Sequence, residues 1–148
     1  MSTLKNKIDF VALVSVTNAN SNGDPLNGNR PRTDYNGYGE ISDVCIKRKI
    51  RNRMQDMGNR VFVQSDDRSD DGCKSLSERA TRFLKSEKDR EKYAEKACAE
   101  WMDVRTFGQL FAFSTKKKDD KGDKGTSIGV RGPVSIHQAI SISPVDIE

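Results

Sequence analysis

The sequence predicts an α+β fold of the RRM-like (ferredoxin-like) kind, and three patterns along the chain support this prediction. The run Ile8 to Val16 is β-branched and almost wholly apolar, which is typical of a buried central strand. Between residues 42 and 102, apolar side chains recur at the spacing of amphipathic helices. Towards the end, Ile128 to Arg131 and Val134 to Ser143 alternate as strands do. We therefore expect one domain over residues 1–148.

Composition and charge limit the possible classes of protein. Apolar residues make up 34% of the chain and charged residues 32%, so the predicted core is modest. The net charge of +4 suits an acidic partner. Cys45, Cys73 and Cys98 lie far apart and lack CxxC spacing, which argues against a disulfide framework and a zinc site. Reduced thiols and the lack of a signal-peptide pattern at the N-terminus favour a cytoplasmic protein. No run approaches the roughly 20 apolar residues of a membrane span, so we expect no membrane contact.

A loop rich in asparagine and glycine follows the first predicted strand. Residues 18–40 contain six Asn and four Gly, and turns are predicted at Asp24-Pro25 and Asn36-Gly37. Glycine lets a backbone approach a ligand closely, and asparagine offers it hydrogen bonds. A structureless loop of this length inside a compact domain tends to be functional. Its candidate ligand-binding side chains are Asn18, Asn20, Asn22, Arg30 and Arg32.

The glycine spacing from Gly23 to Gly28 matches that of the phosphate-binding P-loop, G-x-x-x-x-G-K-[ST]. Asn29 stands where that motif has the lysine that reaches the terminal phosphates. Arg30 stands where it has the hydroxyl that holds magnesium. The loop therefore lacks the side chains that nucleotide hydrolysis requires.

A helix with a high density of positive charge follows this loop. Ser42 is a good N-cap, and Gly58 is a natural residue after the last turn. No acidic residue lies between Val44 and Arg53, so a group outside the helix is expected to compensate the repulsion among its cations. The predicted apolar stripe consists of Ile46, Ile50, Met54 and Met57. The cations are Lys47, Arg48, Lys49, Arg51 and Arg53.

The rest of the chain predicts a helical insertion at about residues 65–103 and a flexible basic loop at residues 116–126. Asp103 and Arg105 flank Val104, so on a strand they would share a face and form a structural ion pair. The aromatic residues expected in the core, rather than as platforms for nucleic-acid bases, are Trp101, Phe107, Phe111 and Phe113.

Loop and helix together predict a surface that follows the phosphate backbone of a nucleic acid, because Lys, Arg and main-chain amides make most such contacts. Signals for catalysis are weak. His137 is the only histidine, so a histidine-based metal centre or a histidine pair is excluded. Because the other signals are weak as well, we expect no catalytic residue, no metal centre and no cofactor. An alternative stays open, in which Asp24 or Asp34 holds a metal or acts in phosphodiester cleavage, although turns favour Asp in any case.

Five segments of the chain form a specific set of motifs. They are N-x-N-x-N-G-D-P (Asn18 to Pro25), N-x-P-R (Asn29 to Arg32), S-D-V-C-I-K-R-K-I-R (Ser42 to Arg51), D-V-R-T-F-G (Asp103 to Gly108) and V-R-G-P-V-S-I (Val130 to Ile136). Together they resemble the backbone subunit of Cascade in type I-C CRISPR systems, the Cas-seven family of the Csd type. The resemblance covers nearly all of this chain, but only the N-terminal half of the family's length.

The resemblance implies an RRM-like palm, here incomplete, with helical and thumb-like extensions. It implies a non-catalytic subunit that binds CRISPR RNA in a filament with further copies of itself and with other Cascade subunits. Target DNA would then be read by base pairing with the guide, while the protein holds the guide backbone. The residues that match the family pattern as guide contacts are Arg30, Arg32, Lys47, Arg48, Lys49 and Arg51, with Arg53 added by proximity.

Two alternatives accompany this resemblance. Related backbone subunits in type III systems cut RNA with a loop aspartate, and Asp24 or Asp34 would take that part in a metal-dependent RNA endonuclease. The chain would otherwise be an inert truncated remnant, which binds neighbouring subunits but not RNA. Whether the basic helix binds RNA therefore separates the main prediction from the remnant.

Overall fold

The computed structural model describes residues 4–84, 89–113 and 126–147. It combines helices with short strands, and the predicted α+β class is confirmed. The strands are β1 (Gly23–Asp24), β2 (Arg30–Pro31), β3 (Tyr38–Ile41), β4 (Gly108–Phe113), β5 (Thr126–Arg131) and β6 (Ala139–Pro144). The helices are α1 (Asp43–Asp56), α2 (Leu76–Leu84), α3 (Arg90–Glu100) and α4 (Met102–Phe107).

The contacts of the chain group into two compact units. The terminal unit consists of Met1–Ile41 and Ile140–Glu148, and the central unit consists of Ser42–Ala139. In the described part of the chain each sheet has two strands, which pair β1 with β2, β3 with β6 and β4 with β5. Since a sheet of two strands is marginally stable in isolation, packing against helices and turns must supply the rest of the stability.

The predicted central strand at Ile8 to Val16 is wrong. These residues form no strand and all are exposed, with Val11 at 89% and Leu13 at 86% of their full accessibility. A central strand needs a hydrogen-bonded neighbour on each edge, and no described segment pairs with this one. Strand propensity is a property of the segment itself, whereas a strand forms only where a neighbouring strand pairs with the segment through backbone hydrogen bonds.

The core of the central unit is built around aromatic rings. The ring centroid of Phe62 lies 4.7 Å from that of Trp101 and 5.0 Å from that of Phe111. Tyr93 packs edge-on against Phe111 at 5.1 Å. The core positions predicted for Trp101 and Phe111 are confirmed, whereas Phe107 is only half-buried. The other buried members are Ala80, Leu84, Ala97, Val104 and Ile128.

Strands β4 and β5 form the antiparallel hairpin that carries Phe111 and Ile128 into this core. Its register pairs Leu110 with Gly129 and Gly108 with Arg131. The strand predicted from Val134 begins only at Ala139, since the residues between them are irregular. Of the predicted flexible loop, residues 116–125 lie outside the described part of the chain, as does the side chain of Phe113.

Two glycines allow direct backbone contact between the end of α4 and the chain that follows β5. Gly108 ends α4 with a φ of +79°, which favours glycine. A Cβ atom on Gly132 would overlap the amide nitrogen of Gly108, the carbonyl carbon of Phe107 and the carbonyl oxygen of Thr106. These neighbours are all backbone atoms, so rotation of a side chain cannot relieve the overlap. Position 132 therefore requires glycine.

A buried ion pair fixes the loop before α2. Arg79 is 4% exposed, and its Nε and Nη2 atoms both contact the carboxylate of Asp71. Its Nη1 atom donates to the carbonyl oxygen of Phe62 at 2.9 Å. The helices α2 and α3 both fall inside the predicted helical insertion. None of the helices within the described ranges is long and apolar enough to span a membrane.

Candidate nucleic-acid interface

The basic helix begins and ends at the predicted residues. The Oγ atom of Ser42 accepts a hydrogen bond from the Cys45 amide at 3.2 Å, which caps the first turn. Beyond the last turn, Gly58 has a φ of +79° and its amide donates to the carbonyl oxygen of Gln55 at 2.8 Å. Local capping signals therefore determine the limits of α1.

No residue of α1 is fully buried. The predicted stripe of Ile46, Ile50 and Met54 is half-buried, while Met57 is exposed. The helix thus lies on the surface of the central unit, and its orientation depends strongly on polar contacts.

The cations of α1 form two rows on opposite sides of the helix. The inner row is Lys47 and Arg51, and the outer row is Lys49 and Arg53. Residues four apart stack along one side, and a rotation of about 100° per residue places the two rows about 160° apart. Arg48 lies between them. One straight nucleic-acid backbone therefore cannot contact all five cations equally.

The inner row is engaged by other side chains. The Nε atom of Arg51 donates to Oδ2 of Asp103 at 2.9 Å, and the two side chains are 12% and 1% exposed. Lys47 pairs with Asp43 at 3.1 Å, and this contact lowers the pKa of the Asp43 carboxyl. Both cations also lie over the ring of Phe107, Arg51 at 5.3 Å and Lys47 at 5.9 Å from its centroid.

Asp103 thereby supplies the compensating charge expected from outside the helix. The predicted pairing of Asp103 with Arg105 on a strand is wrong, because both residues lie in α4, where positions two apart do not face each other. Besides Arg51, Asp103 accepts hydrogen bonds from the amides of Phe62 at 2.6 Å and Val63 at 3.1 Å. This role could not be predicted from local sequence, since the partners lie 40 to 52 residues away along the chain.

The outer row points to solvent. Lys49 and Arg53 are exposed, and neither side chain makes an ion pair or hydrogen bond with any residue in the described ranges. Arg48 is half-buried, and its Nη1 atom lies 3.4 Å from Oδ1 of Asn52. Burial, together with the neighbouring charge of Arg51, lowers the pKa of Arg48. The charge available to an outside anion is thus concentrated on the outer row.

In the terminal unit, the asparagine loop is an ordered hairpin rather than a structureless connection. Strands β1 and β2 pair across a 3₁₀ turn at Pro25–Asn27. The side-chain amide of Asn20 donates to the carbonyl oxygen of Asn29 at 2.7 Å, and that of Asn22 donates to the carbonyl oxygen of Gly23 at 3.1 Å. These amides shape the hairpin, so they are not all available to a ligand.

The remaining predicted loop residues differ in exposure. Asn18 is exposed with a φ of 48°. Arg30 is exposed, and its side chain makes no ion pair or hydrogen bond within the described residues. Arg32 pairs with Glu40 at 3.0 Å. Arg30 is therefore the cation of this loop that is most available to an anionic ligand.

The two loop aspartates accept hydrogen bonds in turns. Oδ1 of Asp24 accepts from the Leu26 amide at 3.0 Å. Oδ1 of Asp34 accepts from the amides of Asn36 and Tyr38 at 2.8 Å each. Each carboxylate thus has a structural role in its own turn.

Comparison with known proteins places these features in a family. The family model for CRISPR-associated protein Cas7 matches residues 6–148. The chain belongs to the Cas7 family. A CRISPR-associated protein Cas7 from Haloferax volcanii is 28% identical over an aligned region of 163 residues. The aligned region covers 99% of this chain and 46% of that relative. This Cas7-family chain therefore spans less than half the length of that relative.

Two segments inside the matched range contain residues that support the basic helix. The segment D-V-R-T-F-G supplies Asp103 and Phe107, which contact the inner row of α1. The segment V-R-G-P-V-S-I supplies Gly132, whose backbone lies against the end of α4. Both residues of the first segment were missed as functional candidates, because one was assigned to a strand and the other to the core.

Proposed function

We propose that this chain is a non-catalytic, RNA-binding backbone subunit of a CRISPR surveillance complex, of the type I-C Cascade kind. In this proposal it holds CRISPR RNA in the cytoplasm, in a filament with further copies of itself and with other Cascade subunits. The guide then pairs with target DNA. The observation that carries the proposal is the outer row, because Lys49 and Arg53 present two uncompensated charges on an exposed helix in a Cas7-family chain.

The ten predicted contact residues take different parts in this proposal. On α1, Lys49 and Arg53 contact the phosphates directly, with Arg48 beside them. In the hairpin of the terminal unit, Arg30 makes a separate contact of its own. The residues Asn18, Asn20, Asn22 and Arg32 shape or flank that hairpin. Arg51 pairs with the buried Asp103 of α4, whereas Lys47 pairs with Asp43 inside α1. This division follows from exposure and pairing, because Arg51 cannot cheaply exchange its buried partner for a phosphate.

Replacing both outer-row residues, in the variant Lys49→Ala/Arg53→Ala, is expected to weaken RNA binding and its dependence on salt. The slope of log K against log salt concentration should fall by about 1.4, twice the ~0.7 of one single-strand phosphate contact. The melting temperature should change little, since both side chains are exposed and neither makes an ion pair or hydrogen bond with a described residue. Fluorescence anisotropy with a labelled single-stranded RNA, titrated at several salt concentrations, measures both affinity and slope.

A matched control removes the same charge from another exposed helix. Arg90→Ala/Lys92→Ala takes two cations from the exposed side of α3 and should leave the slope unchanged. An equal fall in slope for both variants would mean that net charge, rather than the outer row, attracts the RNA, and the proposed interface would be rejected.

A further inference from the structure

We infer that Asp103 is a positioning residue for the RNA-binding face, acting through Arg51. The inference rests on the proposed function. In it, Asp103 does not touch RNA. Asp103 fixes the position of the Arg51 side chain, and Arg51 in turn fixes the orientation of α1. The outer row consequently faces solvent.

The first step concerns what fixes the rotation of α1. Since no residue of α1 is fully buried, its apolar stripe cannot determine the rotation alone. On one side of the helix, Arg68 contacts Asp56 and lies 3.4 Å from the carbonyl oxygen of Asn52, while Gln55 donates to the carbonyl oxygen of Arg68 at 3.0 Å. On the inner-row side, the corresponding contact is the pair of Arg51 with Asp103.

The second step concerns the rigidity of Asp103. Its side chain is 1% exposed, and it lies in α4 between the buried residues Trp101 and Val104. Its Oδ1 and Oδ2 atoms accept hydrogen bonds from two consecutive amides of the loop that carries Phe62 into the core. A carboxylate held in this way fixes the guanidinium that it binds, as second-shell groups orient the ligands of a metal.

The third step concerns charge. Arg48 and Arg51 lie on adjacent parts of one helix and repel each other, and Asp103 is the buried negative charge that offsets this repulsion. With Asp103 neutral, Arg51 loses its ionic partner and both guanidinium groups gain by moving apart. We expect α1 to be less firmly oriented, so that Lys49 and Arg53 would still reach the RNA but only after the helix is ordered again on binding.

Two variants test the inference. Asp103→Asn keeps an acceptor for the Phe62 amide but removes the charge, and Arg51→Lys keeps the charge of the helix but removes the Nε donor. Both variants should bind RNA more weakly, because α1 and its contact residues are less firmly oriented. We expect a loss of about five- to tenfold for Asp103→Asn and of roughly a few-fold for Arg51→Lys. Neither should change the salt slope, since no phosphate contact is lost.

The measurements are made at low temperature on samples whose circular dichroism matches that of the unchanged chain. If either variant binds RNA as tightly as the unchanged chain, Asp103 has only a structural role and the inference fails. If Arg51→Ala lowers the salt slope by about 0.7, Arg51 contacts a phosphate and the inference also fails. Failure of the proposed function is distinct, because Lys49→Ala/Arg53→Ala would then leave the slope unchanged.

Discussion

Replacing Asp71 with alanine is expected to lower the free energy of unfolding by about 3–5 kcal/mol, the cost of removing one partner of a buried ion pair. Arg79 is 4% exposed, so it would be left as a buried charge that keeps only its contacts with the Phe62 carbonyl oxygen and Gln64. Urea denaturation followed by tryptophan fluorescence measures the loss, because Trp101 packs on Phe62. A decrease below 1 kcal/mol would contradict the burial of this pair.

The same pair makes stability depend on pH. The hydrogen bond from Arg79 is the main cause that lowers the pKa of Asp71 from 3.8 to about 2. When folding lowers the pKa of a carboxyl group, the stability that the group contributes is complete at pH values above its pKa in the unfolded chain. That stability is lost as the pH falls through its pKa in the folded protein. We therefore expect about 2 kcal/mol to disappear between about pH 4 and pH 2. This step should be absent from Asp71→Ala and retained in Asp67→Ala, which alters an exposed residue nearby.

Replacing Gly132 with alanine is the second change with a large expected effect. The new methyl group would overlap backbone atoms of Thr106, Phe107 and Gly108, so either α4 or the end of β5 must move. We expect a loss of about 3 kcal/mol or more, the upper range for overpacking. Because Asp103 and Phe107 lie in α4, RNA binding by α1 should weaken in the same variant.

Gly129 provides the control for this substitution. It lies in β5, three residues before Gly132, and the nearest atom to a Cβ at this position is Cδ1 of Leu110, at 3.9 Å. Gly129→Ala should therefore change stability by no more than about 0.5 kcal/mol. Equal melting temperatures for the two variants would show that the backbone contact at Gly132 does not constrain the fold.

The parts of the fold that follow from local chemistry could be predicted from the sequence. Ser42 and Gly58 limit α1 through hydrogen bonds to residues within the same turn. The helical spacing of apolar side chains predicted between residues 42 and 102 is found in α3, where Tyr93 and Ala97 are buried, and Trp101 is buried directly after it. These signals act over three or four residues, so they do not depend on the rest of the fold.

The parts that depend on distant residues could not be predicted. The segment Ile8 to Val16 has strand propensity, but nothing in its own residues says whether a neighbouring strand exists. The two basic rows of α1 could be derived from helical periodicity alone. Which row faces inward is decided by Asp103, which lies 52 residues from Arg51 in the chain. The sequence alone therefore could not separate the cations proposed to contact RNA from those that pair within the protein.

The most direct test of the central claim is to purify the tagged chain from cells that express a CRISPR array and to sequence the RNA that co-purifies, with particle mass measured on the same sample. The proposal predicts RNA of uniform guide length in a large particle, and a clear loss of that RNA from Lys49→Ala/Arg53→Ala. A monomer free of nucleic acid, or one that carries random fragments of cellular RNA, would contradict it.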